Sequence, residues 1–260
     1  MIYLTGATGM IGRRFRELNS SDITTISYRE TVYDVFKSHK ESCLIHLGWS
    51  STPRDTDGMK GKYDVFNSEN LFKYYLNKNP NGKIIFISSA GDMHQNEIDE
   101  PAISELAEPH PRSVYGKSKL IVEEILNGLD CKTIILRTSN VWGGKVDINR
   151  TNGLVDKLMV ALDTDNIVEI YADLGTTVDL IHIDDLVNLI LKVIDVDLEE
   201  DHELFLVGGQ SIAICDIILK LSRKGSLTLK LNQQGKYRTF VNIQPQKAER
   251  AFCWSRENYL

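Results

Sequence analysis

Two runs in the first third of the chain, "CLIHLGW" (43–49) and "KIIFISSA" (83–90), are almost unbroken in apolar residues. A strand with one face in water alternates apolar and polar positions. These runs do not, so both faces must be covered. "MIYLTGA" at the start, the β-rich "ITTISYR" (23–29) and "CKTIILRTSNVWG" (131–143) read as further strands. Helical stretches lie between them. "GMIGRRFRELN" carries Met10, Ile11, Phe15 and Leu18 at helical spacing. "TVYDVFKSHK" reads as a helix with Thr31 as N-cap, and "NLFKYYLNKN" as one that stops at Pro80-Asn81-Gly82. "YGKSKLIVEEILNGL" (115–129) reads as a helix with a stripe through Leu120, Ile121, Ile125 and Leu129. Buried strands alternating with helices predict an α/β, doubly wound parallel sheet.

The second half is patterned differently. "NGLVDKLMVAL" reads as a helix, "IVEIYAD" as a strand, and 178–195 as a strand running into a helix. "ELFLVGG" reads as a strand and "SIAICDIILKLSRKG" as a helix capped by Ser211. The expected division is a first domain of 1–144 plus 176–197 and a small α/β lobe of 145–175 plus 198–260. No internal repeat is present.

The stretch "TGATGMIG" places Gly6, Gly9 and Gly12 between the first strand and the first helix. Strand, glycines, helix is the context of a dinucleotide-binding turn. Glycine admits a pyrophosphate to the backbone, and a helix N-terminus offers free N–H groups. A tight turn without a ligand uses the same residues. The acid expected some twenty residues on is replaced by "ISYRE", where Arg29 suits a 2′-phosphate and tilts the choice toward NADP over NAD.

With 42% hydrophobic and 25% charged residues and a net charge of −6, the chain has no basic run. Nucleic acid and anionic membranes are not expected partners. No apolar run approaches the ~18 residues of a membrane span. The N-terminus enters a strand without a leader pattern. Cys43, Cys131, Cys215 and Cys253 are scattered without a C-x-x-C pair, which predicts a reduced, cytoplasmic protein with no metal ribbon. His182, Asp184 and Asp185 could be metal ligands, but with no further cluster beside them helix capping is the expected role.

"YGKSK" sets Tyr115 and Lys119 one helical turn apart. An ammonium beside a phenol lowers its pKa from ~10 and lets it exchange a proton with a sugar hydroxyl or carbonyl. A surface pair has the same spacing. The preceding strand ends in Ser88 and Ser89, whose hydroxyls are expected to point into the ligand crevice.

"TGATGMIG", "IHLGW", "FISSA", "YGKSKLIVEEIL", "LRTSNVWG" and "DLIHIDDL", in this order, resemble the extended short-chain dehydrogenase/reductases, in particular the nucleotide-sugar epimerase/dehydratase family. The resemblance runs nearly end to end. It implies a catalytic set of Ser89, Tyr115 and Lys119. It implies cofactor contacts from Gly6, Thr8, Gly9, Met10, Ile11, Gly12, Arg29, His46, Leu47, Gly48 and Ser88, with Tyr115 and Lys119 touching the cofactor too. Ser89, Ala90, Tyr115 and Asn140 would contact the nucleotide sugar. Asn67 or Asp64 would match an asparagine that steadies the lysine region. Related enzymes often form a homodimer through helices that include the Tyr115 helix.

Three departures matter. Ser89-Ala90-Gly91 stands where 4,6-dehydratases carry Thr-Asp-Glu, and Asp92 is displaced, which argues against water elimination. Val178 replaces an arginine that binds substrate phosphate; Lys145, Arg150, Arg238 and Arg250 are candidate substitutes. The segment before "CLIHLGW" is short for the usual third strand. The expected activity is hydride transfer between NAD(P) and C4 of a nucleotide sugar, as a 4-keto-6-deoxy-sugar reductase or a 4-epimerase. A cofactor-binding regulator of the same fold is the non-catalytic alternative.

Overall fold

In a computed structural model, residues 1–27, 34–94, 102–144, 153–164, 166–197, 200–232 and 240–260 are described. Six parallel strands form the main sheet: β1 (Ile2–Thr5), β2 (Ile23–Ile26), β3 (Cys43–His46), β4 (Lys83–Ser89), β5 (Thr133–Thr138) and β9 (His202–Val207). Their spatial order is β2-β1-β3-β4-β5-β9. The order reverses at β1, whose two neighbours are β2 and β3. Strands β1, β3 and β5 are buried along their whole length, as apolar runs without alternation require. Among the described residues no strand lies beyond β2, in keeping with the short connection there.

Helices cover both faces. On one side α1 (Met10–Leu18), α5 (Ile183–Asp195) and α7 (Gln246–Phe252) close a core that includes Leu4, Phe15, Ile45, Leu136, Leu186, Phe205 and Phe252. On the other, α2 (Met59–Lys78) and α3 (Val114–Asn127) pack over Tyr3, Leu44, Phe72, Phe86 and Val122. Tyr75 locks this face at one end, its hydroxyl 2.9 Å from Ser42 Oγ.

The second lobe has a three-stranded sheet, in which β8 (Thr177–His182) lies between β10 (Gln210–Ala213) and β6 (Asn140–Trp142). It also has the pair β7 (Val168–Ile170) and β11 (Leu229–Leu231), with α4 (Leu154–Asp163) and α6 (Ile214–Ser222). These enclose a core around Leu158, Leu180, Ile212 and Ile217.

Several expectations are corrected. The strand foreseen over 131–143 is two, β5 in the main sheet and β6 crossing to the second. β9 and α7, expected in the small lobe, belong to the first domain. β8, expected in the first domain, belongs to the second. Of 176–197, α5 packs on the main sheet together with Ile181 at the end of β8. "SIA" is not helical: it forms β10, antiparallel to β8, and the Ser211 hydroxyl donates to Val241 O instead of capping. Residues 34–40 form no helix, and Thr31 lies outside the described residues. α2 begins at Met59 instead of Asn70. Its first half buries Gly61, Asp64, Asn67 and Ser68, a small and polar face that no apolar stripe announces.

Candidate active site

The three glycines do different jobs. Gly6 turns the chain in the left-handed region (φ 68°), and a Cβ there would stand 2.7 Å from Gly48 N. At Gly12 a Cβ would stand 2.2 Å from Gly6 O, so this glycine lets α1 lie against the strand end. At Gly9 a Cβ would meet only Gly6 O, at 3.2 Å, and the residue lines a cleft of about 710 Å³. Gly9 is also the N-cap of α1 and, having no side chain, supplies no cap to the first free N–H groups of the helix. Thr8, Met10, Ile11 and Leu47 line the same cleft. Gly6 and Gly12 shape it from behind.

His46 does not reach the cleft, contrary to expectation. Thr5 Oγ1 accepts from the N–H groups of Leu47 (3.1 Å) and Gly48 (3.0 Å), so its own proton goes to His46 Nδ1 at 2.8 Å. That leaves Nε2–H to donate to Ser68 Oγ (2.9 Å), which in turn donates to Asp64 O (2.7 Å). Burial first, and the Lys119 charge second, push the imidazole down to about 3. His46 and Gly48 are therefore ties between strand ends, and Leu47 alone of the three faces the cleft.

The opposite wall carries the proton-transfer groups. β4 delivers Ser89 at its C-terminal end, and the first two turns of α3 deliver Tyr115 and Lys119. All three line the cleft. Ser113 starts α3, accepting from Gly116 N at 3.0 Å. A hydrogen bond joins Tyr115 to the Ser89 hydroxyl, but burial outweighs it and pushes the phenol up to about 12. The expected acidification by Lys119 is not what this geometry gives. The ammonium donates to Ile87 O at 2.7 Å and lies 5.7 Å from the Tyr115 ring centroid. Lys119 is 3% exposed, and desolvation, opposed by Asp64 and Glu123, brings it down to about 7.

The other expected residues divide between cleft and interior. Ser88 lines the cleft, with its hydroxyl donating to the buried carboxylate of Glu123. Ala90 is fully buried in a small cluster with Ile103 and Leu206, so its side chain offers no surface to a substrate. Asn140 does line the cleft, with Nδ2 donating to Asp179 O at 3.1 Å. Asp64 accepts from Ser50 N (2.9 Å) and Ser51 N (2.8 Å) and so fixes the loop after β3. Asn67 is buried nearby, and its Nδ2 has no hydrogen-bond partner among the described residues. Asp92 accepts from Ser113 Oγ at 2.8 Å.

His182 is the N-cap of α5, accepting from Asp184 N (3.2 Å). Asp184 pairs with Arg14 at 2.6 Å, and Asp185 accepts from the 257–258 backbone and from Asn258 Nδ2. Arg29, Lys145, Arg150 and Arg238 lie outside the described residues, and Arg250 is exposed on α7, outside the cleft lining.

The cleft residues that escaped the sequence reading include Arg13, Trp49, Arg54 and Asp156. Trp49 and Arg54 follow the C-terminal end of β3, the edge at which doubly wound sheets hold ligands, and that position was the available signal. Asp156 lies on α4, with no motif to single it out. It is buried and accepts from Gly143 N at 3.3 Å.

Residues 2–208 match the model of the NAD dependent epimerase/dehydratase family. The chain is 28% identical over 207 residues to a dTDP-4-dehydro-6-deoxyglucose reductase of Escherichia coli, covering 74% of this chain and 63% of that protein. It is 32% identical over 123 residues to a dTDP-L-rhamnose 4-epimerase of Burkholderia thailandensis, covering 45% of this chain and 34% of that one. It thus spans under two thirds of the length of either relative. The fold is that of MoeE5, solved in complex with UDP-glucuronic acid and NAD, with a TM-score of 0.86, 17% identity, and 99% and 94% of the two chains covered.

Proposed function

From the premise that this chain belongs to the NAD dependent epimerase/dehydratase family, we propose that it transfers hydride between a nicotinamide cofactor, NAD or NADP, and C4 of a nucleotide-activated sugar. The observation that carries this reading is the convergence of Ser89, Tyr115 and Lys119 on one wall of a cleft whose other wall is the glycine turn. The residues fit a dinucleotide: Gly9 is open on the cleft side while Gly6 and Gly12 are closed, and the α1 N-terminus carries no side-chain cap. Thr8, Gly9, Met10, Ile11 and Leu47 would hold it. When bound, the cofactor supplies or accepts the hydride.

Ser89 would hold the sugar O4 by a hydrogen bond, and Tyr115 would exchange the O4 proton through its phenol oxygen. Lys119 would support the phenol's charge as the proton leaves. A phenol is protonated at neutral pH, and burial holds Tyr115 further that way, so it can give a proton to a carbonyl oxygen. The first reading is reduction of a 4-keto-6-deoxy sugar, the reaction named for the Escherichia coli relative. The second reading, a 4-epimerase, uses the same three residues in both directions and has the Burkholderia relative in its favour. Asp92, engaged by Ser113, supports neither elimination nor a dehydratase. Retention of Ser89, Tyr115 and Lys119 together speaks against a regulator without catalysis.

Arg54 and Arg13 are the cationic side chains among the lining residues besides Lys119, and suit pyrophosphate groups where Val178 offers none. Met59, Tyr63 and Phe66 on α2 and Ile121 on α3 are exposed apolar residues, which suits a homodimer through these helices. Four free cysteines suit a reducing, cytoplasmic setting.

A native mass spectrum of the purified protein is the test. Retained NAD supports the epimerase. Empty protein that binds NADPH and oxidises it in the presence of a 4-keto-6-deoxy nucleotide sugar supports the reductase. Failure to bind either cofactor refutes both.

A further inference from the structure

We propose that Trp49 is a positioning residue whose indole face holds the Lys119 ammonium in register with the Tyr115 phenol, a role that rests on the hydride-transfer reading above. Lys119 Nζ lies 3.8 Å from the centroid of the Trp49 ring, closer than to Phe86 (4.5 Å) or Tyr115 (5.7 Å). An ammonium has three donors, and among the described residues it makes a single hydrogen bond, to Ile87 O at 2.7 Å. Among the described residues no carboxylate lies within ion-pair distance of it. A buried cation with two unused donors is costly unless something else stabilises its charge. The negative face of an indole does so, and does it best of the aromatic rings.

The indole is itself fixed on three sides. Its Nε1 donates to Ser51 Oγ at 2.8 Å. It meets Tyr115 edge-on, with centroids 6.4 Å apart and planes at 87°. Its centroid lies 5.7 Å from that of Phe86 and 6.1 Å from that of His46. Ser51 is held in turn through its N–H by the Asp64 carboxylate at 2.8 Å. The loop after β3 thus reaches across the cleft from Asp64 through Ser51 and Trp49 to Lys119. One aromatic ring touches both the lysine and the tyrosine.

The groups facing the ammonium are Tyr115 and Glu123 on α3, Asp64 on α2 and His46 on β3. His46 is neutral, and the two carboxylates act on the lysine at longer range, favouring its charged form. Since burial already brings Lys119 down to about 7, removal of the indole face tips it to the uncharged amine at neutral pH.

The full-length protein labelled with ¹³C at lysine Cε is titrated by NMR as wild type, Trp49→Phe and Trp49→Leu, with the Lys119 signal assigned by its loss in Lys119→Met. In the wild type the Lys119 Cε protons are shifted upfield by the indole ring current. The Lys119 pKa falls by about one unit in Trp49→Leu, the size of a desolvated cation–π contact, and by less in Trp49→Phe. The alkaline limb of kcat/KM moves down with it. Ordinary proton shifts for Lys119 in the wild type, or an identical titration in all three folded proteins, overturn the proposal. Lack of turnover by the wild type would refute the hydride-transfer reading instead, and leaves the NMR result standing.

Discussion

Replacing Gly9 and Gly12 one at a time by alanine separates binding from folding within a single turn. At Gly12 the new methyl would sit 2.2 Å from Gly6 O and 2.8 Å from Ala7 Cα. Both are backbone atoms and cannot swing aside, so α1 must move off the strand end. Overpacking of this kind costs about 1–3 kcal/mol, partly offset by alanine's better helix propensity of about 1 kcal/mol. A net loss of about 1 kcal/mol, rising to about 2 if the helix cannot shift, is expected. At Gly9 the methyl meets only Gly6 O, at 3.2 Å, and the backbone (φ −72°, ψ 173°) suits alanine. Stability should change by less than about 1 kcal/mol. The methyl does point into the space a pyrophosphate would enter. A tenfold loss of cofactor affinity, about 1.4 kcal/mol, is the minimum expected. Urea unfolding followed by circular dichroism reads the first quantity, and NADPH fluorescence titration the second. Undiminished cofactor affinity in Gly9→Ala would refute the assignment of this turn as the pyrophosphate cradle. Unchanged stability in Gly12→Ala would refute the packing argument.

The fold should also weaken in acid. His46 and His94 are held at about 3 and about 4, mainly by burial, against about 6.5 when unfolded. Both values are depressed, so the neutral rings favour the folded state above pH ~6.5 and that advantage is lost as pH falls toward the folded values. With the unfolded rings already half protonated at pH 6.5, the two groups give a loss of about 3 kcal/mol between pH 6.5 and 5. A urea midpoint that does not move between pH 7 and 5 contradicts this. Arg137→Met strands the Glu123 carboxylate, which Arg137 Nη2 otherwise meets at 2.7 Å in the interior. It should cost about 3–5 kcal/mol, with much of that recovered in Glu123→Leu/Arg137→Met. Equal losses in the single and double variants would disprove the pairing. Arg54→Ala should raise the KM for the nucleotide sugar about tenfold with little change in kcat, the mark of a charge-assisted contact made equally before and during reaction. A drop in kcat alone would argue against it.

The main sheet was legible because its strands are apolar on both faces, and the glycine turn because no other residue serves at Gly6 and Gly12. The Ser89, Tyr115 and Lys119 set came from the family resemblance, since spacing and strand order by themselves left a surface pair equally open. What escaped has a common cause: buried polar faces. The face α3 turns inward carries Ser118, Lys119 and Glu123 beside Val122 and Leu126, so of the stripe expected through Leu120, Ile121, Ile125 and Leu129, Ile125 and Leu129 pack only partly buried at the edge of the core and Ile121 is 45% exposed. α2 hid its first half in the same way. β10 and β6 were missed because short strands in a small second sheet have no period of their own, and their pairing with β8 is decided at long range. The lobe boundaries failed with them. The state of the phenol could not be foreseen either, since spacing sets Tyr115 and Lys119 one turn apart but says nothing of the Ile87 carbonyl and the indole that draw the ammonium aside.

The most direct measurement is NADPH oxidation by Tyr115→Phe in the presence of a 4-keto-6-deoxy nucleotide sugar. If the phenol delivers the O4 proton, turnover falls by about 10²–10⁴ while the Kd for NADPH stays at the wild-type value. Turnover within tenfold of wild type would show that the proton comes from elsewhere.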